Sequence, residues 1–247
     1  MERVGIIKNK ISFLFIVRWQ KGVYGMGRSY MQEIILVGCG GCMREIAWQI
    51  EEQKKEEDGW NIIGYVDRIP PEGGQEILVG KRKIPYLGND DFLLQKSEKT
   101  NVAICVGEPS LRKKIADKLK KNVFLCFPNL ILGNNKICED VKMGQGCIIS
   151  MDARISTNVT LGDFVFLNTG SMVCHDGTLG DFVTLSPRAT LAGNVQIGNC
   201  SEIGMGTNVR QGIFIGENTI VGAGSVIVKD IEGNVTVAGV PAKKIRG

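Results

Sequence analysis

The 247-residue sequence has a single histidine, His175, and lacks a long apolar run. One histidine cannot build the usual zinc site of several histidines, so we expect no metal. The apolar run at residues 11–17 is far too short to span a bilayer, so no stable membrane insertion is expected. Residues 1–30 carry a net charge of +5, which leaves −1 of the total +4 for residues 31–247. The charge of residues 31–247 gives no sign of a basic surface that binds nucleic acid, so no nucleic-acid partner is expected.

Residues 1–30 do not resemble the start of a domain. No small-residue cleavage site follows their apolar run, which argues against a signal peptide. We interpret them as a disordered extension or a mis-assigned start, with the natural start near Met26 or Met31. A basic segment that touches a membrane surface is the alternative.

Eight cysteines are scattered along the chain. Cys39 and Cys42 form a C-x-x-C, but no further metal ligands stand at fitting spacing, and a redox pair is the less favoured reading. Reduced cysteines used as small residues explain the pattern best, which indicates a cytoplasmic location.

Residues 137–232 form sixteen consecutive blocks of six, and each block opens with an aliphatic residue. The fifth place of each block is small or β-branched. A period of six fits neither a helix nor a lone strand. It suits a coil with three flat sides, each of which sends one large and one small residue inward. The pattern therefore predicts a parallel β-solenoid of about five coils at three blocks each.

Residues 31–126 show an alternation of strands and helices that predicts a small parallel α/β sheet of the Rossmann-like βαβ type. The predicted elements are a strand at Ile34–Val37, a helix from Met43 to about Lys55, a strand at Ile62–Asp67, a short helix at Asp90–Leu94 after a turn-rich segment, a strand at Asn101–Val106, a helix from Leu111 to about Lys120 capped by Ser110, and a strand at Val123–Cys126. Residues 127–247 then form the solenoid, with a C-terminal cap where Pro241 breaks the period.

Three glycines, Gly38, Gly40 and Gly41, stand between the first strand and the first helix. Backbone N–H groups at such a turn can bind a phosphate at the helix N-terminus. The dinucleotide fingerprint is incomplete because Met43 takes the place of its last glycine. A tight turn that needs glycine is the alternative. Asp67, at the end of the second strand, could face a ribose or a base, or lie in water.

The only histidine, His175, is followed by Asp176 in the third and fourth places of its block. These are not inward places, so His175 should point outward. Imidazole titrates near neutral pH, and a carboxylate partner orients it and raises its basicity. The pair is therefore a candidate general base, although an exposed histidine is often inert.

Blocks of the form [LIV]-[GA]-x-x-[STAV]-x that end in Gly-Val-Pro-Ala-Lys resemble the left-handed β-helix acyltransferases. The segments Leu167-Asn168-Thr169, His175-Asp176 and Leu191-Ala192-Gly193-Asn194-Val195 narrow this resemblance. They look like the family of sialic acid O-acetyltransferases and bacillosamine N-acetyltransferases. The resemblance covers residues 31–245.

This resemblance implies a homotrimer with acetyl-CoA in the groove between neighbouring solenoids. His175 would be the catalytic base, Asp176 its partner, and the Gly193 N–H a donor to the acetyl carbonyl. Other positions match the family's CoA path, its active-site polar residue and its nucleotide-sugar site. They are Gly239, Val240, Pro241 and Lys243 for CoA, Asn168 near the active site, and Gly38, Gly40, Gly41 and Asp67 for the nucleotide sugar. The chain departs from the family at Cys42 and Thr184, where many members have histidine, and at Arg188, where glycine is usual.

The resemblance thus implies an acetyl-CoA-dependent acetyltransferase in surface glycan biosynthesis. The expected reaction is N-acetylation of a nucleotide-linked amino sugar, with direct attack on the thioester and His175 as general base. One alternative is O-acetylation of sialic acid or a related sugar. The other is a catalytically inactive trimeric scaffold that kept the fold.

Overall fold

A computed structural model describes residues 31–53, 59–69 and 76–247. The N-terminal elements are β1 (Gln32–Val37), α1 (Gly41–Gln53), β2 (Trp60–Val66), β3 (Glu76–Val79), β4 (Arg82–Gly88), α2 (Asp90–Leu94), β5 (Thr100–Ile104), α3 (Pro109–Leu119) and β6 (Leu125–Cys126). The strands form one sheet in the order β3-β4-β2-β1-β5-β6. Strand β1 pairs in parallel with β2 and with β5, as expected for a Rossmann-like βαβ arrangement. The α/β fold is thereby confirmed.

Two details of this domain differ from expectation. The turn-rich segment holds an antiparallel hairpin, β3–β4, whose second strand joins the sheet beside β2. Helix α3 is capped by Glu108 rather than by Ser110, because the Glu108 carboxylate accepts the N–H of Ser110 at 2.9 Å. Pro109 has no N–H to satisfy and suits the first helical turn, so the helix starts earlier. The expectations for residues 1–30 and for the helix end at Lys55 lie outside the described residues.

The second half is a solenoid of short strands, which the structure describes throughout. Its strands are β7 (Leu130–Ile131), β8 (Lys136–Ile137), β9 (Lys142–Met143), β10 (Ile148–Ile149), β11 (Arg154–Ile155), β12 (Thr160–Leu161), β13 (Phe166–Leu167), β14 (Met172–Val173), β15 (Thr178–Leu179), β16 (Thr184–Leu185), β17 (Thr190–Leu191), β18 (Gln196–Ile197), β19 (Glu202–Ile203), β20 (Asn208–Val209), β21 (Phe214–Ile215), β22 (Ile220–Val221), β23 (Val226–Ile227), β24 (Thr236–Gly239) and β25 (Ala242–Arg246). Each coil except the last is three hexad blocks long, and each pairs in parallel with the next, as in Leu130 with Ile148.

The solenoid is a three-sided prism. Face A contains β7, β10, β13, β16, β19, β22 and β24; face B contains β8 to β23 in steps of three; face C contains β9 to β21 in steps of three. The 6-stranded face B takes one strand from each coil, so this part of the chain has six coils rather than the expected five, because the solenoid starts before residue 137 and ends after residue 232. The aliphatic openers and the small fifth-place residues of the inner coils are buried, as the period predicts. The solenoid fold is thus confirmed, and we name its corners AB, BC and CA after the faces they join.

The register of six is broken in the last block, contrary to the expectation of sixteen unbroken blocks. Val221 pairs with Val237, and Ile215 bridges to Ile231, so the last coil is two positions shorter than the others. Ile231 therefore follows the openers of face C rather than a fifth place. The solenoid continues past Glu232 to β24, and β25 then pairs antiparallel with β24 at the end of face A.

The α/β domain covers face A of the solenoid. The outward side chains Leu130, Ile148 and Phe166 on this face are buried in one cluster with the underside of the α/β sheet and helix α1. Helix α1 runs along corner AB. Its successive turns contact successive coils through Gln53 Nε2 to Ile131 O, Gln49 Oε1 to Met151 N, and Glu45 Oε1 to Thr169 Oγ1. None of the helices in the described residues is both long and apolar enough to cross a membrane.

Arg112 of α3 joins the two domains at corner CA, where it is 1% exposed. The five N–H donors of its guanidinium bind neutral oxygens of both domains, namely Val106 O and Gly107 O at 2.8 Å, Phe164 O at 3.0 Å, Phe182 O at 2.8 Å and Thr184 Oγ1 at 2.9 Å. Burial lowers the pKa of Arg112 to about 10, so the group is still charged at neutral pH. Removing it would leave several buried oxygens without a donor.

Arg112→Ala should therefore lower the free energy of unfolding by at least about 3 kcal/mol, because each unpaired buried acceptor costs about 1–3 kcal/mol. Urea unfolding measures this loss. The matched control is Lys113→Ala on the same helix, whose pair with Asp117 is exposed, so the free energy of unfolding should hardly change. Equal stability losses in Arg112→Ala and Lys113→Ala would show that the Arg112 contact does not hold the domains together.

Candidate active site

His175 lies at corner BC, two residues after the end of β14. Its position is fixed by both neighbouring coils. The Asn194 N–H donates to His175 O at 2.8 Å, and the Asp176 N–H donates to Thr157 O at 3.1 Å. Asp176 has a φ of +61°, a left-handed conformation that turns the chain at the corner. The imidazole points outward and is half-exposed, as the repeat predicts.

The His175 ring is oriented by Asp176. Nδ1 and Asp176 Oδ2 lie 2.7 Å apart. An ionised carboxylate only accepts hydrogen bonds, so the neutral ring carries its proton on Nδ1 and has its lone pair on Nε2. Hydrogen bonds from Asn158 and His175 lower the pKa of Asp176 below its ordinary value, so it stays ionised at neutral pH. This arrangement has the form of a general base with its orienting acid.

Gly193 lies one coil above His175 and makes room for the imidazole. A Cβ built at Gly193 would stand 2.3 Å from His175 Cε1 and 2.5 Å from Nε2. Any side chain there would push the ring out of its place. Because Gly193 has no side chain, the Nε2 edge of the His175 imidazole can lie next to its backbone.

Three coils beyond His175, the same corner reaches the end of the solenoid next to the cap. The column of equivalent positions at this corner runs from His175 through Gly193 and Gln211 to Lys229. At about 4.8 Å per coil this distance is about 14 Å. A groove of about 170 Å³ lies there, between residues 227–231 and the cap residues Pro241 and Lys243. The Lys229 side of this groove thus lies on the same edge of the prism as the candidate base.

The cap itself is a tight reversal between β24 and β25. Gly239 ends β24 with a φ of +104°, which glycine adopts without strain. Val240 and Pro241 form the turn, and Lys243 follows on β25, where its side chain is exposed.

The glycine turn and Asp67 lie together at the carboxyl ends of β1 and β2. Gly38 has a φ of +112° and donates to Val66 O at 2.9 Å, so the turn itself requires glycine there. A Cβ at Gly40 or Gly41 would meet nothing within 4 Å, so packing does not require glycine at either position. Burial, followed by a hydrogen bond with Asp67, raises the pKa of the Cys39 thiol to about 11. The backbone at Gly40 and Gly41 is therefore open to a ligand next to Asp67.

The remaining positions lie on the side of the α/β domain. Asn168, after β13, accepts the Thr169 N–H at 2.7 Å, beside the contact of Thr169 with α1. Thr184 is buried, and its Oγ1 donates to Gly107 O at 2.7 Å while accepting from Arg112. Arg188 is exposed at corner AB, with a φ of +59°. Burial raises the pKa of the Cys42 thiol to about 11, which makes it a poor nucleophile at neutral pH.

One chain does not bring all of these residues together. His175, Asp176 and Gly193 lie at corner BC, whereas the glycine turn belongs to the domain that covers face A and its two flanking corners. The sequence analysis also missed Arg112 and Asn158. Arg112 lies in a run of basic residues that reads as a solvated helix face. Asn158 precedes Asp176 by three hexad blocks, and that spacing is the one signal that could have identified it.

Gly193→Ala should break the His175–Asp176 bond without unfolding the chain, because the atoms that the methyl group meets belong to an exposed, movable ring. ¹⁵N shifts of the imidazole report its tautomer, and the single histidine gives one assignable signal. We expect loss of the uniform Nδ1–H form in Gly193→Ala. Gly41→Ala adds the same methyl group in open space and serves as the control. Unchanged ring shifts in Gly193→Ala would contradict this account of the glycine.

Comparisons with known proteins agree with this architecture. The family model described as the PglD N-terminal domain matches residues 33–119. The acetyltransferase domain of PglB from Neisseria gonorrhoeae FA1090, solved with acetyl coenzyme A, is 29% identical with a TM-score of 0.76, and the match covers 87% of this chain and 100% of that domain. A perosamine N-acetyltransferase mutant from Caulobacter crescentus, solved with CoA and GDP-perosamine, is 28% identical with a TM-score of 0.76 and coverages of 88% and 99%. WeeI from Acinetobacter baumannii AYE is 26% identical with a TM-score of 0.71 and coverages of 87% and 100%.

Curated relatives match over a shorter stretch. Galactoside O-acetyltransferase of Escherichia coli (strain K12) is 46% identical over 52 residues, which is 21% of this chain and 26% of the relative. The matched stretch therefore spans about a quarter of the length of the curated relatives. Together, the N-terminal family match and the three solved structures show that the chain is similar to hexapeptide-repeat sugar N-acetyltransferases.

Proposed function

We propose that this protein transfers the acetyl group of acetyl-CoA to the amino group of a nucleotide-linked sugar, for the synthesis of a surface glycan. The observation that carries the proposal is the outward His175 with Nδ1 held by Asp176 at 2.7 Å and Nε2 left free. Such a base removes a proton from an acceptor as it attacks. A nucleotide sugar and acetyl-CoA are both cytoplasmic compounds, and the eight free cysteines fit that compartment.

The similar proteins support both substrates. The PglB domain was solved with acetyl coenzyme A, and the perosamine N-acetyltransferase with CoA and GDP-perosamine. In this chain, the cap groove with Lys229 and Lys243 suits the anionic CoA. The open backbone at Gly40 and Gly41 suits the phosphates of a nucleotide, because N–H groups at the start of α1 point there. Asp67 would face the ribose or the base, and Asn168 the region of the acceptor.

The reaction proceeds in one direct step. The acceptor nitrogen attacks the thioester carbonyl carbon of acetyl-CoA while His175 Nε2 takes its proton. The Gly193 N–H donates to the carbonyl oxygen as negative charge develops on it. The carbon–sulfur bond then breaks, CoA leaves as a thiolate, and the proton held by His175 returns to the sulfur. The products are the N-acetylated sugar and free CoA.

The separation of the two halves supports a homotrimer. Within one chain, His175 stands at corner BC and the glycine turn stands beside face A, so the two lie on different sides of the prism. A neighbouring solenoid packed against corner BC would bring its own α/β domain towards His175. We therefore propose that each active site is shared between two chains of a trimer.

His175→Ala should lower kcat by about a hundredfold or more, the usual contribution of a positioned general base. CoA release with a panel of nucleotide amino sugars measures it. The fold should be unaffected, since the imidazole is half-exposed, and thermal unfolding serves as the control. Unchanged turnover would show that His175 is not the base. Turnover restricted to sugar hydroxyls would favour the O-acetyltransferase, and no turnover with any acceptor would favour the scaffold.

Lys243→Glu should raise the KM for acetyl-CoA about tenfold at low salt while kcat changes little, because the lysine would contact CoA away from the reacting carbonyl. The effect should shrink as salt screens the charge. Lys136→Glu reverses another exposed charge, on the first coil, and provides the control. An equal rise in both variants would mean that net charge, rather than the cap groove, governs CoA binding.

A further inference from the structure

A ladder of polar side chains runs down corner BC below the catalytic pair. Asp140, Asn158 and Asp176 occupy equivalent positions of this corner in three successive coils. Asn158 Nδ2 donates to Asp176 Oδ1 at 2.7 Å. The Asn158 N–H donates to Asp140 Oδ2 at 3.0 Å, and Thr157 Oγ1 donates to the same oxygen at 2.6 Å. Each coil thus anchors the corner of the next.

The ladder assigns one partner to each oxygen of the Asp176 carboxylate. Oδ1 accepts from Asn158, and Oδ2 accepts from His175 Nδ1. A carboxylate with only one of these bonds could rotate about its terminal torsion, which is broad and weakly restrained. With both bonds made, its plane is fixed, and the direction of the His175 ring is fixed with it.

Asn158 can hold this position because its own backbone is held. Its φ is +54°, a region in which asparagine is enriched. The Asp140 carboxylate accepts the backbone N–H of Asn158, so the side-chain amide of Asn158 is directed towards Asp176 in the next coil. Because the side chain is exposed, its bond to Asp176 contributes little to stability. Its effect should therefore appear in the geometry of the site rather than in the stability of the chain.

We propose that Asn158 is a positioning residue, which acts through Asp176 to hold His175 as the Nδ1–H tautomer with Nε2 directed at the acceptor. This inference rests on the proposed acetyl transfer for its kinetic consequence. Its structural part, the control of the His175 tautomer, can be measured without any turnover.

Two variants separate positioning from simple packing. Asn158→Asp keeps the shape and tolerates the positive φ, but it replaces the donor with a second carboxylate facing Asp176. Asn158→Gly removes the side chain and accepts the same φ. The matched control is Asn218→Gly, since Asn218 has a φ of +53° and donates to Asn234 Oδ1 at 3.1 Å at an exposed corner away from His175.

The experiment records ¹⁵N shifts of the His175 ring together with kcat and KM in the full chain. We expect Asn158→Asp and Asn158→Gly to show a mixture of tautomers and to lose about tenfold or more in kcat, with the KM for acetyl-CoA within about twofold of the original chain. Asn218→Gly should show neither change, and thermal unfolding should be similar in all variants.

Unchanged ring shifts in Asn158→Asp would overturn the proposal, as would an equal loss of kcat in Asn218→Gly. If the original chain acetylates no acceptor, the proposed function fails, but the ring shifts still decide whether Asn158 controls the tautomer. If the shifts change while kcat does not, the ladder orients the ring without serving catalysis, and the kinetic role assigned to Asn158 is wrong.

Discussion

The structure depends on the pairing of each coil with the next in a constant register. This pairing satisfies the backbone N–H and C=O groups of the coils along all three faces, and it stacks like places of the repeat above one another. A side chain at one corner therefore meets the residues at the same place in the coils below and above it. His175 is held between Thr157 and Gly193 for this reason. A one-residue slip would send the inward side chains outward and would also dismantle the site.

The same stacking gives the faces and corners of the prism different roles. Face A is buried under the α/β domain, and Arg112 fixes that contact by giving its donors to oxygens of both parts. Corner BC is thereby left as the edge away from the α/β domain. The candidate base and the Lys229 side of the cap groove both lie on that edge. The proposed site, which includes the glycine turn, would then need a second chain, and this expectation follows from the packing rather than from any single residue.

Much of this could be predicted from the sequence, because a strict period fixes which side chains point inward. The period predicted the buried openers and the outward direction of His175. It failed at the last coil, where a shorter turn shifts Ile231 and Val237 out of the hexad count. The hairpin β3–β4 was missed because it lies among turn residues and because β4 contains Pro85, a residue that argues against a strand. Contacts between domains leave no period, so the role of Arg112 could not be read from its basic neighbours.

The chain departs from the expected family pattern at Thr184 and Cys42, and the surroundings of each residue limit what it can do. The resemblance implies histidine at position 184, but the Thr184 hydroxyl both accepts from Arg112 and donates to Gly107 O. It is committed to the contact between the domains and has no spare donor for a substrate. Cys42, at the other such place, is a thiol whose pKa burial raises to about 11, so it does not replace an imidazole in proton transfer. The proposed proton transfer therefore relies on the one histidine, and we expect the orientation of its ring by Asp176 and Asn158 to be the most sensitive feature of the site.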